Sequence, residues 1–127
     1  MAKDTPEIKS ASLTIISQGT IMEGVIQSSG NLRLDGSFKG KITVDGNLVI
    51  GKEGIAQAEI ACTSLTIAGK VKGNLNVQEQ AILEKESLVI GDIITKSLVI
   101  HEGAVFHGYN KIRNIDSLQK EWKTGHE

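Results

Sequence analysis

The stretch LRLDGSFKGKITVDGNLVI, residues 32–50, holds one full period of this chain. Leu32 and Leu34 open it, and Leu48 and Ile50 repeat the pair at its end. Between them Phe38 and Ile42 flank Gly40, and Val44 follows two residues later. Apolar or small residues at every second position mark short strands that send alternate side chains to opposite faces. The pairs Asp35-Gly36 and Asp45-Gly46 punctuate the run. Asp bonds nearby backbone and Gly accepts positive φ, so both read as turns.

The same pattern extends in both directions. The opening pair recurs at Leu65/Ile67, Ala81/Leu83 and Leu98/Ile100, and a weaker pair, Leu13/Ile15, precedes the series. Small residues with apolar flanks two positions away form a second series at Gly24, Gly40, Ala58, Gly73, Gly91 and Gly108. A third column holds Val44, Cys62 and Val77. The spacing predicts three short strands per turn of about 17 residues, repeated about six times, with no helical period from 13 to 108. The expected fold is therefore all-β: a solenoid of stacked three-stranded coils at ~4.8 Å spacing, roughly 29 Å long. Residues 1–12 are expected to be a disordered tail, residues 13–108 the β-helix, and residues 109–127 a second tail. A left-handed helix of hexapeptide repeats is the alternative, but it needs a strict six-residue step.

Within this register the two copies of SLVI, at 87–90 and 97–100, face opposite ways. Val89 points inward in the first copy, and Leu98 and Ile100 in the second.

Composition sets further bounds. A chain of 127 residues can bury a core, and its net charge of −1 provides no field for nucleic acid. One cysteine allows no intrachain disulfide and suits a reducing cytoplasm. Neither an export h-region nor a membrane span is visible. Aromatics at 3% and the single Pro6 fit a narrow aliphatic interior better than an irregular core.

The ordered motifs GTIMEGVIQSSGNLRLDGSFKGKI, LVIGKEG, LTIAGKVKGNL, VIGDI and LVIHEGAVFHG resemble the bactofilins over about residues 14–108. The resemblance implies a right-handed parallel β-helix of triangular section that polymerises end to end without nucleotide into non-polar filaments. It further implies a cytoplasmic scaffold, at the inner face of the membrane, that positions cell-shape or wall-building proteins. Many bactofilins carry a membrane-targeting N-terminus, whereas MAKDTPEIKSA here has little apolar content.

No catalytic constellation appears. His101 and His107, with Glu102 nearby, alternate outward or follow a strand end, and no phosphate-binding glycine motif is present. No cofactor, metal or enzymatic activity is expected. A hexapeptide-type acyltransferase, the competing class, would need a histidine placed between subunits. Cys62 falls in an inward column and is expected to act as a small hydrophobe. Lys39, Lys41, Lys70 and Lys72 interleave with Glu59, Asn74 and Asp92, so solvated charge ladders are expected there rather than a nucleic-acid site.

Function is expected at the ends. An open coil exposes unpaired strands that template another subunit. Phe106, Leu98, Ile100 and Val105 on the last coil form the expected polymerisation surface, and Phe106 in GAVFHG matches a family position implicated in assembly. Outward Leu88, Ile90, Ile82 and Val99 form a candidate lateral or partner face, with plain β-propensity as the alternative. Ile112, Ile115, Leu118 and Trp122 have the spacing of a short amphipathic helix. That helix would either lie loosely over the last coil or dock on a membrane surface or a partner.

Overall fold

The structure is a computed structural model that describes residues 13–112. Ten strands follow one another in this span. They are β1 Leu13–Ile16, β2 Ile21–Ser28, β3 Asn31–Leu34, β4 Ser37–Ile50, β5 Ile55–Ile67, β6 Lys70–Leu83, β7 Leu88–Thr95, β8 Ser97–Ile100, β9 Val105–His107 and β10 Asn110–Ile112. Every pairing between them is parallel. The long strands turn corners, so each coil contributes to three walls.

The first wall stacks β1, β3, the ends of β4, β5 and β6, and β8. The second runs from the start of β2 through Ser37, Ile55, Lys70 and Leu88 to β9. The third runs from Val25 through Lys41 and Glu59 to Asp92 and β10. This is the six-turn β-solenoid expected from the period. Partner residues on successive coils lie between 15 apart, as in Ile55↔Lys70, and 18 apart, as in Ser37↔Ile55. That variation excludes a strict hexapeptide step.

The three apolar columns form the core. Leu32, Leu34, Leu48, Ile50, Leu65, Ile67, Ala81 and Leu83 fill the first wall. Phe38, Ile42, Ala56, Ile60, Val71, Leu75, Val89 and Ile93 fill the other two beside Val44, Cys62 and Val77. At ~25 cal/mol per Å² of apolar surface removed from water, this continuous stack is what holds the coils in place. Thr95 continues the third column, fully buried. Its hydroxyl is accommodated at the corner, 3.1 Å from the Ser97 carbonyl, and accepts from the Ser97 N–H at 3.4 Å.

Two readings change. Leu32 pairs with Thr14, and Leu34 with Ile16, so the inward residues of the first coil are Thr14 and Ile16 rather than Leu13 and Ile15. Ile16 is buried while Leu13 and Ile15 are exposed. Apolar residues at 13, 15 and 16 fit either phase and hid a one-residue shift, which inverts a strand. At the other end β10 pairs with β7, Ile112 lying opposite Thr95. Strand therefore continues past residue 108, and Ile112 begins no helix. Ile115, Leu118, Trp122 and the expected N-terminal tail 1–12 lie outside the described residues.

The corners explain the small column. Gly40, Gly73 and Gly91 have φ near +140°, and a Cβ on any of them would strike the backbone carbonyl of Gly24, Ala58 or Gly73 on the coil below. Ala58 occupies the same column without positive φ, and the β5–β6 ladder is interrupted there, between Gln57↔Lys72 and Ile60↔Leu75. Corners between the first and second walls alternate in length over the first five coils. Four-residue turns at Ser17–Thr20, Gly51–Gly54, Glu84–Ser87 and His101–Ala104 each close with a backbone hydrogen bond of 2.8–3.1 Å. Asp35-Gly36 and Ala68-Gly69 are shorter and lie between the first three of these turns.

Candidate polymerisation surface

The last coil pairs on one side only: β8 with β6, and β9 and β10 with β7. Its outer backbone donors and acceptors have no described strand to meet. Above this edge the core columns continue. Leu98 stacks on Ala81, Ile100 on Leu83, and Phe106 on Val89. Leu83 is fully buried, yet Ile100 in the same column is 47% exposed. Among the described residues no coil follows over Ile100, so the inward row of the last coil is there an uncovered core layer. Leu98 and Phe106 are half-buried against that core.

Val105 differs from its three companions. It pairs with Leu88 in the outward row of the second wall and is exposed there. The end surface is thus Leu98, Ile100 and Phe106, with Val105 on its outer rim.

The first coil mirrors this arrangement, which the sequence reading missed. Met22 begins the column of Phe38, Ile26 begins that of Ile42, and Ile16 lies under Leu34. Met22 is exposed, as are the outward Ile21 and Val25 beside it. The signal was in the second series, where Met22 and Ile26 were already its first members. At both ends of the described rod the core columns therefore end beside an open strand edge, exposed at Ile100 and at Met22, while Ile16 is buried.

The candidate lateral residues do not share one wall. Ile82 and Val99 stand in the outward row of the first wall, paired with each other and below them with Thr66. Leu88 and Ile90 stand on the second. Turns Glu84–Ser87 and His101–Ala104 separate the two pairs.

The polar candidates remain dispersed. His101 Nε2 lies 3.9 Å from Glu84 Oε1 at a turn, while His107 pairs with Ile90 on the second wall. Arg33 donates to Asp35 at 2.8 Å, and this neighbouring carboxylate raises the guanidinium pKa. Burial pushes the Cys62 thiol up to about 12. Open concavities lie along the sides of the rod. One lies along the first corner beside Arg33, Asp35 and Lys52. A second lies on the third wall beside Lys41, Glu59 and Asp92. A third lies at the corner beside Thr43, Asp45 and Gln78. Among the described residues, no group of three His, Cys, Asp or Glu side chains could hold a metal ion, and no helix is long and apolar enough to cross a membrane.

A rod of parallel coils with two uncovered ends has a close counterpart among known families. Residues 14–111 match the family Bactofilin, described as polymer-forming cytoskeletal. The chain is a bactofilin. Its fold is similar to that of the cytoskeletal bactofilin BacA, whose atomic structure was revealed by solid-state NMR. The two share 30% identity and a TM-score of 0.70, over 77% of this chain and 93% of that one. No curated protein matches the sequence. This bactofilin thus shares the family's β-helix, and its matched span reaches into β10, beyond the 108 boundary drawn from periodicity.

Proposed function

We infer that this bactofilin is a cytoplasmic scaffold whose subunits join end to end into filaments. One observation carries the reading: among the described residues, both ends of the rod present an open strand edge beside core side chains that no further strand covers. Joining two ends continues the ladders and removes Ile100, Phe106 and Leu98, or Met22 and Ile26, from water. Each such side chain contributes roughly 1.5–3 kcal/mol when fully buried. Phe106 is the largest of them, and Val105 borders the junction. The family is polymer-forming, which supports the same reading.

Assembly of this kind needs no nucleotide, since the contact is apolar burial and strand pairing. Filaments without polarity follow where like ends meet, as the family resemblance implies. The proposed cellular role is to position cell-shape or envelope machinery at the inner face of the membrane, with wall-building proteins as partners.

Electron microscopy of purified protein without nucleotide tests the reading. Filaments many subunits long are expected. Compact trimers alone would return the chain to the acyltransferase class, and monomers alone would remove the end-to-end contact. Co-purification from cells would identify the machinery it positions.

A further inference from the structure

The three walls differ in what they show to solvent. Outward positions of the first wall run Ile15, Arg33, Val49, Thr66, Ile82 and Val99, and its one cation is paired with Asp35. Outward positions of the third mix Lys41 with Glu59 and Asp92. The second wall is different. One outward row runs Ile21, Ser37, Ile55, Lys70, Leu88, Val105, and the other Glu23, Lys39, Gln57, Lys72, Ile90, His107. Three lysines therefore stand among five aliphatic side chains, with one acid, Glu23, at the far end. Ile21, Ile55, Ile90 and Val105 are all exposed, as are Lys39, Lys70 and Lys72. The bordering turns hold Lys52 and Lys85 beside Glu53, Glu84 and Glu86, so the excess of positive charge belongs to the wall itself.

The geometry points to this second wall as a surface that lies on anionic lipid headgroups. Lysine ammonium groups meet the phosphates while their alkyl stems and the neighbouring Ile55, Leu88 and Ile90 contact the apolar side of the interface. Two features favour a bilayer over an acidic polypeptide. The wall is a continuous ladder of six rungs, and its outward residues line none of the concavities described above, whereas a bound peptide wants a groove or a strand edge. A second copy pairing wall to wall would bring the two sets of lysines together.

Three lysines give a weak contact for one subunit. A filament repeats that contact with every subunit, and linked contacts multiply in affinity. The inference therefore deepens the filament reading and rests on it for strength.

Vesicle flotation tests it with the full chain, since floated lipid separates from sinking polymer. Preassembled protein is mixed with vesicles of phosphatidylglycerol and phosphatidylcholine, or of phosphatidylcholine alone, and filaments are checked by electron microscopy in each sample. Filaments are expected to float with the anionic vesicles only and to be released by high salt. Lys39→Gln/Lys70→Gln/Lys72→Gln should keep filaments and reduce flotation at least tenfold, while Lys41→Gln, on the third wall, should float as the original chain does. Filaments that form yet never float, that float equally with neutral vesicles, or that float undiminished in the triple variant would each overturn the lipid contact. Lysine-dependent binding of poly-glutamate without flotation would assign the wall to an acidic polypeptide instead. Absence of filaments from the unmodified chain would count against end-to-end assembly, a distinct result; flotation of that unassembled chain, lost in the triple variant, would then still report on the wall.

Discussion

Phe106 stands directly over Val89 in the last rung of the second wall, and no described strand pairs on its outer side. Val89 is fully buried and Phe106 only partly so. The same column thus holds a finished core position and an unfinished one, a single coil apart.

Phe106→Arg should place a charge where the proposed junction buries apolar surface, a costly exchange. Short soluble species are expected in analytical ultracentrifugation, with β-sheet circular dichroism retained. Phe106→Leu should still polymerise. Unchanged filaments from the arginine variant would remove Phe106 from the junction.

Glu86 holds φ at +68° in the turn Glu84–Ser87, where the equivalent residues of two other turns are Gly19 and Gly103, also at positive φ. A side chain in this conformation costs about 1 kcal/mol relative to glycine. Glu86→Gly is expected to raise the unfolding midpoint by a few degrees in thermal melts of dilute protein. A lower midpoint would mean that Glu86 makes a compensating contact.

Gly91 and Ala58 occupy the same corner column but should respond differently to substitution. Gly91→Ala would set a Cβ against the Gly73 carbonyl at a φ of +136°, at a cost on the order of 3 kcal/mol. Ala58→Gly is expected to cost less than ~1 kcal/mol, because its corner already avoids positive φ. Denaturant titration of both variants compares them directly.

Cys62 is raised by burial from its ordinary value near 9 to about 12. A group whose folded pKa is raised keeps its full contribution below the unfolded value and loses it as pH climbs toward the folded one. Stability should therefore fall between pH 9 and 12 more steeply in the original chain than in Cys62→Val, which matches Val44 and Val77 in the same column. At pH 8 the native thiol should resist aromatic disulfide reagents and react on unfolding. Equal pH slopes for the two proteins would show that the thiol titrates no differently when folded.

Much of this architecture was legible because stacking makes like residues recur. A column such as Leu34, Ile50, Ile67, Leu83 is one environment sampled at every coil, so its period survives variation in turn length. The twin SLVI segments were also readable: Val89 is buried in one, while Leu98 and Ile100 take the inward row of the other. Their spelling agrees, but their phase in the period does not.

Other features needed the fold. The adjacent Ile15 and Ile16, with Leu13 before them, left the phase of the first coil ambiguous, and only pairing with β3 resolved it. The spacing of Ile112 and the residues after it suggested helix, but the open edge of β7 drew Asn110–Ile112 into strand. Val105 looked like a member of the end surface until its register placed it over Leu88. The sequence by itself determined the columns, because alternation and period report which way each side chain faces. Only the tertiary structure decided which layers are left uncovered and which charges share a wall, because both depend on what the neighbouring coil supplies.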